Sequence, residues 1–287
     1  MVTNRRRPRV RRSRGVALFA LIAIAQACVP TPQSKLSAAS STGVATTLSP
    51  RVISAQPPVL LYGDSIGSEI SPYLKSRLSL APRVKLVSRV YGGTNACDWL
   101  GLAKADNTTY KPKYVVIIFT GNRFTPCTRV IGDQPTLTQA IDMTVSGVRN
   151  LMSNFPTAHF FLVGFPRSVA AQEKRDAGLI TGTDLLNWKL SKLAQTSRST
   201  YVSTPNVMYD SDGRAQRTLP CTKELDGFFC GTSGIVTVRA PDGGHLCPVS
   251  SDAVLGVIPK CQVPSPGANR ITKMIHTAIT THIASNR

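Results

Sequence analysis

Four short apolar runs punctuate the middle of the chain: Val59 to Tyr62, Val84 to Val90, Tyr114 to Phe119 and His159 to Val163. Runs this short and rich in β-branched residues predict strands buried on both faces, as in a parallel sheet. Between the last two, Leu137, Ile141, Val145, Val148 and Met152 recur at helical spacing between Pro135 and Pro156, which predicts a crossover helix. Further helices are expected after Ser65, over Asp184 to Ala194 and from Ala268 to Ala284. Strand alternating with helix predicts a layered α/β fold.

The pattern changes upstream of Pro58. Residues 29–57 are mostly Ser, Thr, Ala, Pro and Gln without a helical or strand period, which reads as a flexible tether. Before it, Arg5, Arg6, Arg7, Arg9, Arg11, Arg12 and Arg14 precede an apolar run from Val16 to Ala25. Such a run is too short for a stable membrane span, which needs roughly 20 residues, and the basic-then-apolar order is that of a signal peptide. Ala25 and Ala27 flank Gln26 as an A-x-A-like cleavage site directly before Cys28. The expected organisation is a leader over 1–27, a tether over 28–57 and one folded domain over 58–287. A new N-terminal Cys28 resembles the acylated cysteine of bacterial lipoproteins, although Ala25 stands where leucine is usual; anchoring at the outer face of the membrane and simple secretion both fit.

Charge and cysteines sharpen the picture. Once the leader's arginines are removed, 27 basic residues remain against 15 acidic ones, so the net charge falls from +19 to +12. That basic surface suits anionic lipid or envelope polymer, or is simply solvated, and no aromatic-interleaved basic run points to nucleic acid. Setting Cys28 aside leaves Cys97, Cys127, Cys221, Cys230, Cys247 and Cys261. Oxidising compartments favour pairing over free thiols or a zinc site built on His245 and Cys247. Among the connectivities open to six cysteines, Cys97–Cys127, Cys221–Cys230 and Cys247–Cys261 are favoured because each closes a modest loop beside a motif described next.

Val59-Leu60-Leu61-Tyr62 runs into Gly63-Asp64-Ser65-Ile66-Gly67, which puts a serine at the carboxyl end of a strand and the start of a helix. Ligand crevices of open parallel sheets lie at that edge. The string also fits the G-x-S-x-G elbow of α/β-hydrolases, but those place several strands before the serine. Near the other end stands Pro241-Asp242-Gly243-Gly244-His245-Leu246. A serine hydroxyl needs an imidazole to take its proton, and the imidazole needs an acceptor on its other nitrogen; His245 and Asp242 offer both, although Asp242 also suits a Pro-Asp-Gly turn. Donors for an oxyanion are offered by Gly92 and Gly93 in Tyr91-Gly92-Gly93-Thr94 and by Asn122 in Thr120-Gly121-Asn122, each after a strand. Taken singly, a tight turn and a capping amide explain these residues as well.

In this order the four blocks resemble the SGNH (GDSL-like) hydrolase family over Val59 to the C-terminus. The resemblance implies a three-layer α/β/α sandwich with a central parallel, flavodoxin-like sheet. It implies that Ser65 is the nucleophile, that His245 and Asp242 complete the triad, and that the N–H groups of Ser65 and Gly92 with the Asn122 amide form the oxyanion hole. Gly93 replaces Gly92 if the register shifts by one. Thr120-Gly121-Asn122-Arg123 departs from the family's G-x-N-D, leaving Arg123 to face an acidic substrate.

The function so implied is an exported serine esterase acting on an O-acyl ester, short-chain acyl groups on a cell-envelope glycan being the natural candidates. An acyltransferase using the same site and a catalytically idle glycan-binding protein are the alternatives. No cofactor or metal is expected, the membrane is touched only through a lipid anchor at Cys28, and a monomer is the default. The segment Cys221 to Arg239 is a candidate disulfide-tied flap over the site, with Trp99, Trp188 or Phe228 lining an acyl or sugar pocket.

Overall fold

The computed structural model describes residues 57–129, 135–249, 261 and 263–286. The expected leader, tether and Cys28 lie outside the described residues. Strands β1 (Val59–Gly63), β2 (Leu86–Val90), β3 (Tyr114–Ile118), β4 (His159–Gly164) and β5 (Ser199–Ser203) form one sheet in the order β2-β1-β3-β4-β5, all parallel. This is the doubly wound order in which the chain turns from one side of β1 to the other, so the crevice opens at the carboxyl ends of β1 and its neighbours.

Helices α1 (Ser65–Leu80) and α8 (Pro266–Ser285) cover one face. Helices α2 (Leu100–Tyr110), α3 (Leu137–Ser153) and α5 (Gly182–Gln195) cover the other. The period-two alternation of the strands decides which side chain goes where: Val59 and Leu61 pack with Ile70, Leu74 and Ile275, whereas Leu60 and Tyr62 pack with Ile141, Val148 and Leu151. Helix α3 begins at a Thr136–Gln139 capping box, each side chain bonding the other's backbone. Short helices α4 (Val169–Asp176), α6 (Pro205–Met208) and α7 (Lys223–Asp226) and a small antiparallel pair, β6 (Thr218–Pro220) with β7 (Ile235–Thr237), lie in the connections. Among the described residues, no helix is long and apolar enough to cross a membrane.

The expected α/β/α sandwich is therefore present, with additions. Strand β5 escapes the apolar-run criterion because it is an edge strand of Ser, Thr and Tyr, only one of whose five residues is fully buried. Helix α2 is short and weakly amphipathic, with glycine, asparagine and two threonines among its eleven residues. Its buried Asp106 explains why it is there. The carboxylate accepts from Tyr62 Oη at 2.6 Å and takes a two-pronged grip from Arg89, at 2.9 and 2.7 Å, joining β1, β2 and α2. Burial alone would raise the Asp106 pKa, but the Arg89 and Tyr62 bonds outweigh it and hold the group below the ordinary aspartate value.

All three favoured disulfides are formed, with Cα atoms 5.8, 5.5 and 5.5 Å apart. Cys97–Cys127 joins the loops that follow β2 and β3, and Cys247–Cys261 closes the chain directly after His245.

Candidate active site

Register sets the site. Gly63 lies level with Val90 on one side and Ile118 on the other, so the loops carrying Ser65, Gly92 and Asn122 leave the sheet side by side. A Cβ on Gly63 would come within 2.9 Å of both the Gly67 Cα and the Ile118 carbonyl. The two glycines flanking Ser65 are thus explained by the tight packing of the α1 start against the sheet.

Asp64 holds the turn. It is fully buried and caps α1, with Oδ1 accepting from Ile66 N at 3.0 Å. Its other oxygen accepts from Thr120 N at 2.7 Å, from Thr120 Oγ1 at 2.6 Å and from Asn122 Nδ2 at 3.3 Å. Burial pushes this carboxyl above its ordinary value against the pull of the Thr120 and Ile66 bonds and the nearby His245. One side chain thereby joins the Ser65 turn to the loop that carries Asn122. The Asn122 amide also donates to Thr94 O at 2.9 Å, and Asn95 Nδ2 donates to Asn122 O at 3.0 Å. The Gly92-Gly93 turn folds over the same place, since Tyr91 N and Thr94 Oγ1 both donate to Gly63 O, at 3.2 and 3.4 Å. Trp99, an expected pocket residue, stiffens this turn instead by donating its indole N–H to Thr94 Oγ1 at 3.2 Å.

The Asp242–His245 segment forms the expected turn and also brings the two side chains into contact. Asp242 Oδ1 accepts from Gly244 N at 2.8 Å and His245 N at 3.0 Å, while Oδ2 faces His245 Nδ1 at 2.5 Å. Burial pushes the Asp242 pKa up, but its bonds from the His245 ring and the two N–H groups prevail and leave it below the ordinary value, so it is ionised at neutral pH. Gly243 sits at φ +69°, and a Cβ there would meet Val169 Cβ at 2.9 Å, so glycine is required.

Two residues to which the sequence assigns no role dock this segment. Glu69, one helical turn beyond Ser65, accepts from Leu246 N at 2.9 Å and Cys247 N at 3.2 Å, which fastens the histidine loop to the first turns of α1. Its carboxyl is raised by burial, partly offset by those bonds and by His245. Beneath the loop lies Arg239, wholly buried, donating to Gly244 O at 2.9 Å, Pro166 O at 3.2 Å and Arg167 O at 2.5 Å. It makes no ion pair among the described residues, and burial lowers its pKa to about 10, against the opposing influence of Tyr209, Asp242 and Glu69, so it remains a cation below Asp242.

Ser65, His245, Asp242, Gly92 and Asn122 are thus drawn to one edge of the sheet. Ser65 Oγ makes no hydrogen bond to the His245 ring among the described contacts; such bonds are commonly long until substrate closes the site. Arg123 turns to Pro135 O at 2.7 Å and lies over the Phe124 ring. Trp188 lines a separate groove between α3 and α5 with Asp142, Arg149 and Lys192. Of the candidate flap Cys221 to Arg239, the disulfide-closed part borders a hollow beside α1 and α8, with Phe228 and Phe229 facing Pro72, Arg77, Leu80 and Asn269, while Arg239 at its far end bonds the histidine loop. Asp226 explains that placement, because it is locked to Arg270 of α8 at 2.7 and 2.6 Å.

The metal alternative on His245 and Cys247 fails because Cys247 is bonded to Cys261. The Cys221, Asp226 and Cys230 cluster is likewise committed, its sulfurs to each other and its carboxylate to Arg270.

No family model matches the chain, and no curated protein matches it in sequence. Solved structures do resemble it. They include a GDSL-like lipase from Bacteroides thetaiotaomicron (13% identity, 79% of this chain and 89% of that one covered, TM-score 0.49). A lipase/acylhydrolase from Enterococcus faecalis matches at 14% identity over 79% of this chain and 97% of that one, TM-score 0.49. A catalytic mutant of an acetylxylan esterase from Geobacillus stearothermophilus matches at 15% identity over 78% and 94%, TM-score 0.47. Likenesses this distant leave function to be argued from the site itself.

Proposed function

We propose that this protein is an exported serine esterase that cleaves an O-acyl ester through an acyl-enzyme on Ser65. The observation that carries the reading is the Asp242–His245 pair, 2.5 Å apart and fastened through Glu69 to the helix that begins at Ser65. His245 takes the Ser65 hydroxyl proton as Oγ adds to the ester carbonyl. The oxyanion is met by the N–H groups of Ser65 and Gly92 and by the Asn122 amide, which exchanges its long 3.3 Å bond to Asp64 for the oxyanion. Collapse expels the alcohol, which leaves with the proton held by His245. Water, deprotonated by the same ring, then releases the carboxylic acid and frees Ser65. Asp242 keeps the ring oriented and offsets its charge while it holds the extra proton.

The side chains of Asp242 and His245 remain 31% and 25% exposed, which favours a bulky alcohol such as an envelope glycan approaching from outside with a small acyl group at Ser65. The A-x-A-like site before Cys28 and the three disulfides support an oxidising, exported setting, with Cys28 available for lipid attachment.

The test is hydrolysis of p-nitrophenyl acetate, butyrate and octanoate, followed by release of acetate from an O-acetylated envelope glycan with and without added sugar acceptor. Turnover fastest on acetate, with free acid as the product, is expected. Transfer to the acceptor in preference to water would reassign the site to an acyltransferase, and folded but inert protein would leave glycan binding.

Asn122→Ala is expected to cost about 2.7–4 kcal/mol of transition-state stabilisation, or roughly 100- to 1,000-fold in kcat, as for loss of one oxyanion donor. Steady-state kinetics on the acetate ester check this. A kcat within threefold of wild type would remove Asn122 from the oxyanion hole.

A further inference from the structure

The Cys221–Cys230 segment is clamped by its disulfide and by the buried Asp226–Arg270 pair, yet it holds Phe228 83% exposed. Beside it Leu80, at the end of α1, is 76% exposed. With Pro72, Tyr73 and Phe229 they border a hollow of about 470 Å³ between α1, α8 and the loop. Solvent-facing apolar side chains held together on a rigid frame mark a contact surface.

The charge around the hollow says what kind. Arg77 reaches into it, and its only described side-chain bond is to the neutral Asn269 Oδ1 at 2.6 Å; it has no carboxylate partner among the described residues. Lys223 lies on the loop's own short helix, α7, and Lys273 of α8, one turn beyond Asn269, stands beside the same loop. Of the acids on the loop, Asp226 is bound to Arg270, and exposed Glu224 stands 3.9 Å from Lys273. Exposed apolar side chains beside Arg77 and Lys223, with Asp226 already paired, suit an interfacial site, in which aromatic and aliphatic groups enter the acyl boundary while lysine and arginine meet anionic headgroups.

We propose that this patch docks the folded domain on an anionic lipid bilayer, independently of any acyl chain at Cys28. Helix α1 runs from Ser65 to the patch, and at 1.5 Å per residue Ser65 lies roughly 10 Å along the axis from Pro72 and 22 Å from Leu80. Docking there would hold the site near the membrane without burying its mouth in lipid.

The test uses the exported chain carrying Cys28→Ser, which cannot be lipidated, sedimented with vesicles of phosphatidylcholine alone or mixed equally with phosphatidylglycerol. Binding to the mixed vesicles, weakened by salt and absent with phosphatidylcholine alone, is expected. Leu80→Ser with Phe228→Ser should lower that binding at least about tenfold, with an unchanged thermal midpoint. Separately, Phe228→Trp should give a blue shift of emission with the mixed vesicles only. The proposal is overturned if the Cys28→Ser chain ignores the mixed vesicles, if the double variant binds them as well as its parent, or if the new tryptophan stays in water. A concentration-dependent dimer that loses its association in the double variant while vesicle binding is unaffected would assign the patch to a second copy of the chain.

Discussion

Ser65→Ala and His245→Ala are each expected to lower kcat on the acetate ester by about 10⁴- to 10⁶-fold, and the double variant should be no worse than either single one. The nucleophile and its base act as one unit, so removing either abolishes the acyl-enzyme route. What remains is the modest rate left by binding and the oxyanion donors. Asp242→Asn separates orientation from loop structure. The amide oxygen can still accept from Gly244 N and His245 N, the bonds that shape the turn, while the group facing His245 Nδ1 loses its charge. A loss of roughly 10⁴-fold in kcat with unchanged stability is expected for that variant. Equal activity of wild type and Ser65→Ala would remove the whole assignment.

The largest stability effect is expected at Asp226. Its side chain is fully buried, and that of its partner Arg270 is 4% exposed. Arg270 also donates to Val207 O at 2.9 Å and Pro220 O at 2.8 Å, and Asp226 accepts from Thr222 N at 2.9 Å. Asp226→Ala leaves a guanidinium buried without its counter-charge and is expected to cost about 3–5 kcal/mol in urea unfolding. The double variant Asp226→Leu with Arg270→Met should recover much of that loss, because an apolar pair of similar volume avoids the uncompensated charge. A cost below about 1 kcal/mol for Asp226→Ala would mean that water reaches Arg270 and that the loop is not anchored as described.

Legibility in the sequence followed the range of the interactions. Strands β1, β3 and β4 were visible because both faces are buried, which leaves unbroken apolar runs, and α3 because its inward face repeats at helical spacing. The polar edge strand β5 and helix α2, held by the Tyr62–Arg89–Asp106 network, depend on partners far away in the chain. The proposed site residues are readable because each stands after a strand or in a short motif. Their supports are less so. Asp64 was in view beside Ser65, but its bonds to Thr120 and Asn122 span more than fifty residues. Glu69 had a local signal, a carboxylate one helical turn from the serine, but its partners, the N–H groups of Leu246 and Cys247, are backbone and leave no trace in side-chain pattern. Arg239 bonds only to carbonyls and is equally silent. The Cys221–Cys230 loop could be closed on paper, but where it lands is decided by Asp226 meeting Arg270 on the last helix.

The most direct measurement is intact-mass and peptide mapping of the folded protein after exposure to a fluorophosphonate, which labels only a serine activated by its base. A single adduct on Ser65 in wild type, none in Ser65→Ala and a greatly slowed one in His245→Ala is the expected result. An unlabelled folded wild type, or an adduct carried by any other residue, would contradict the account.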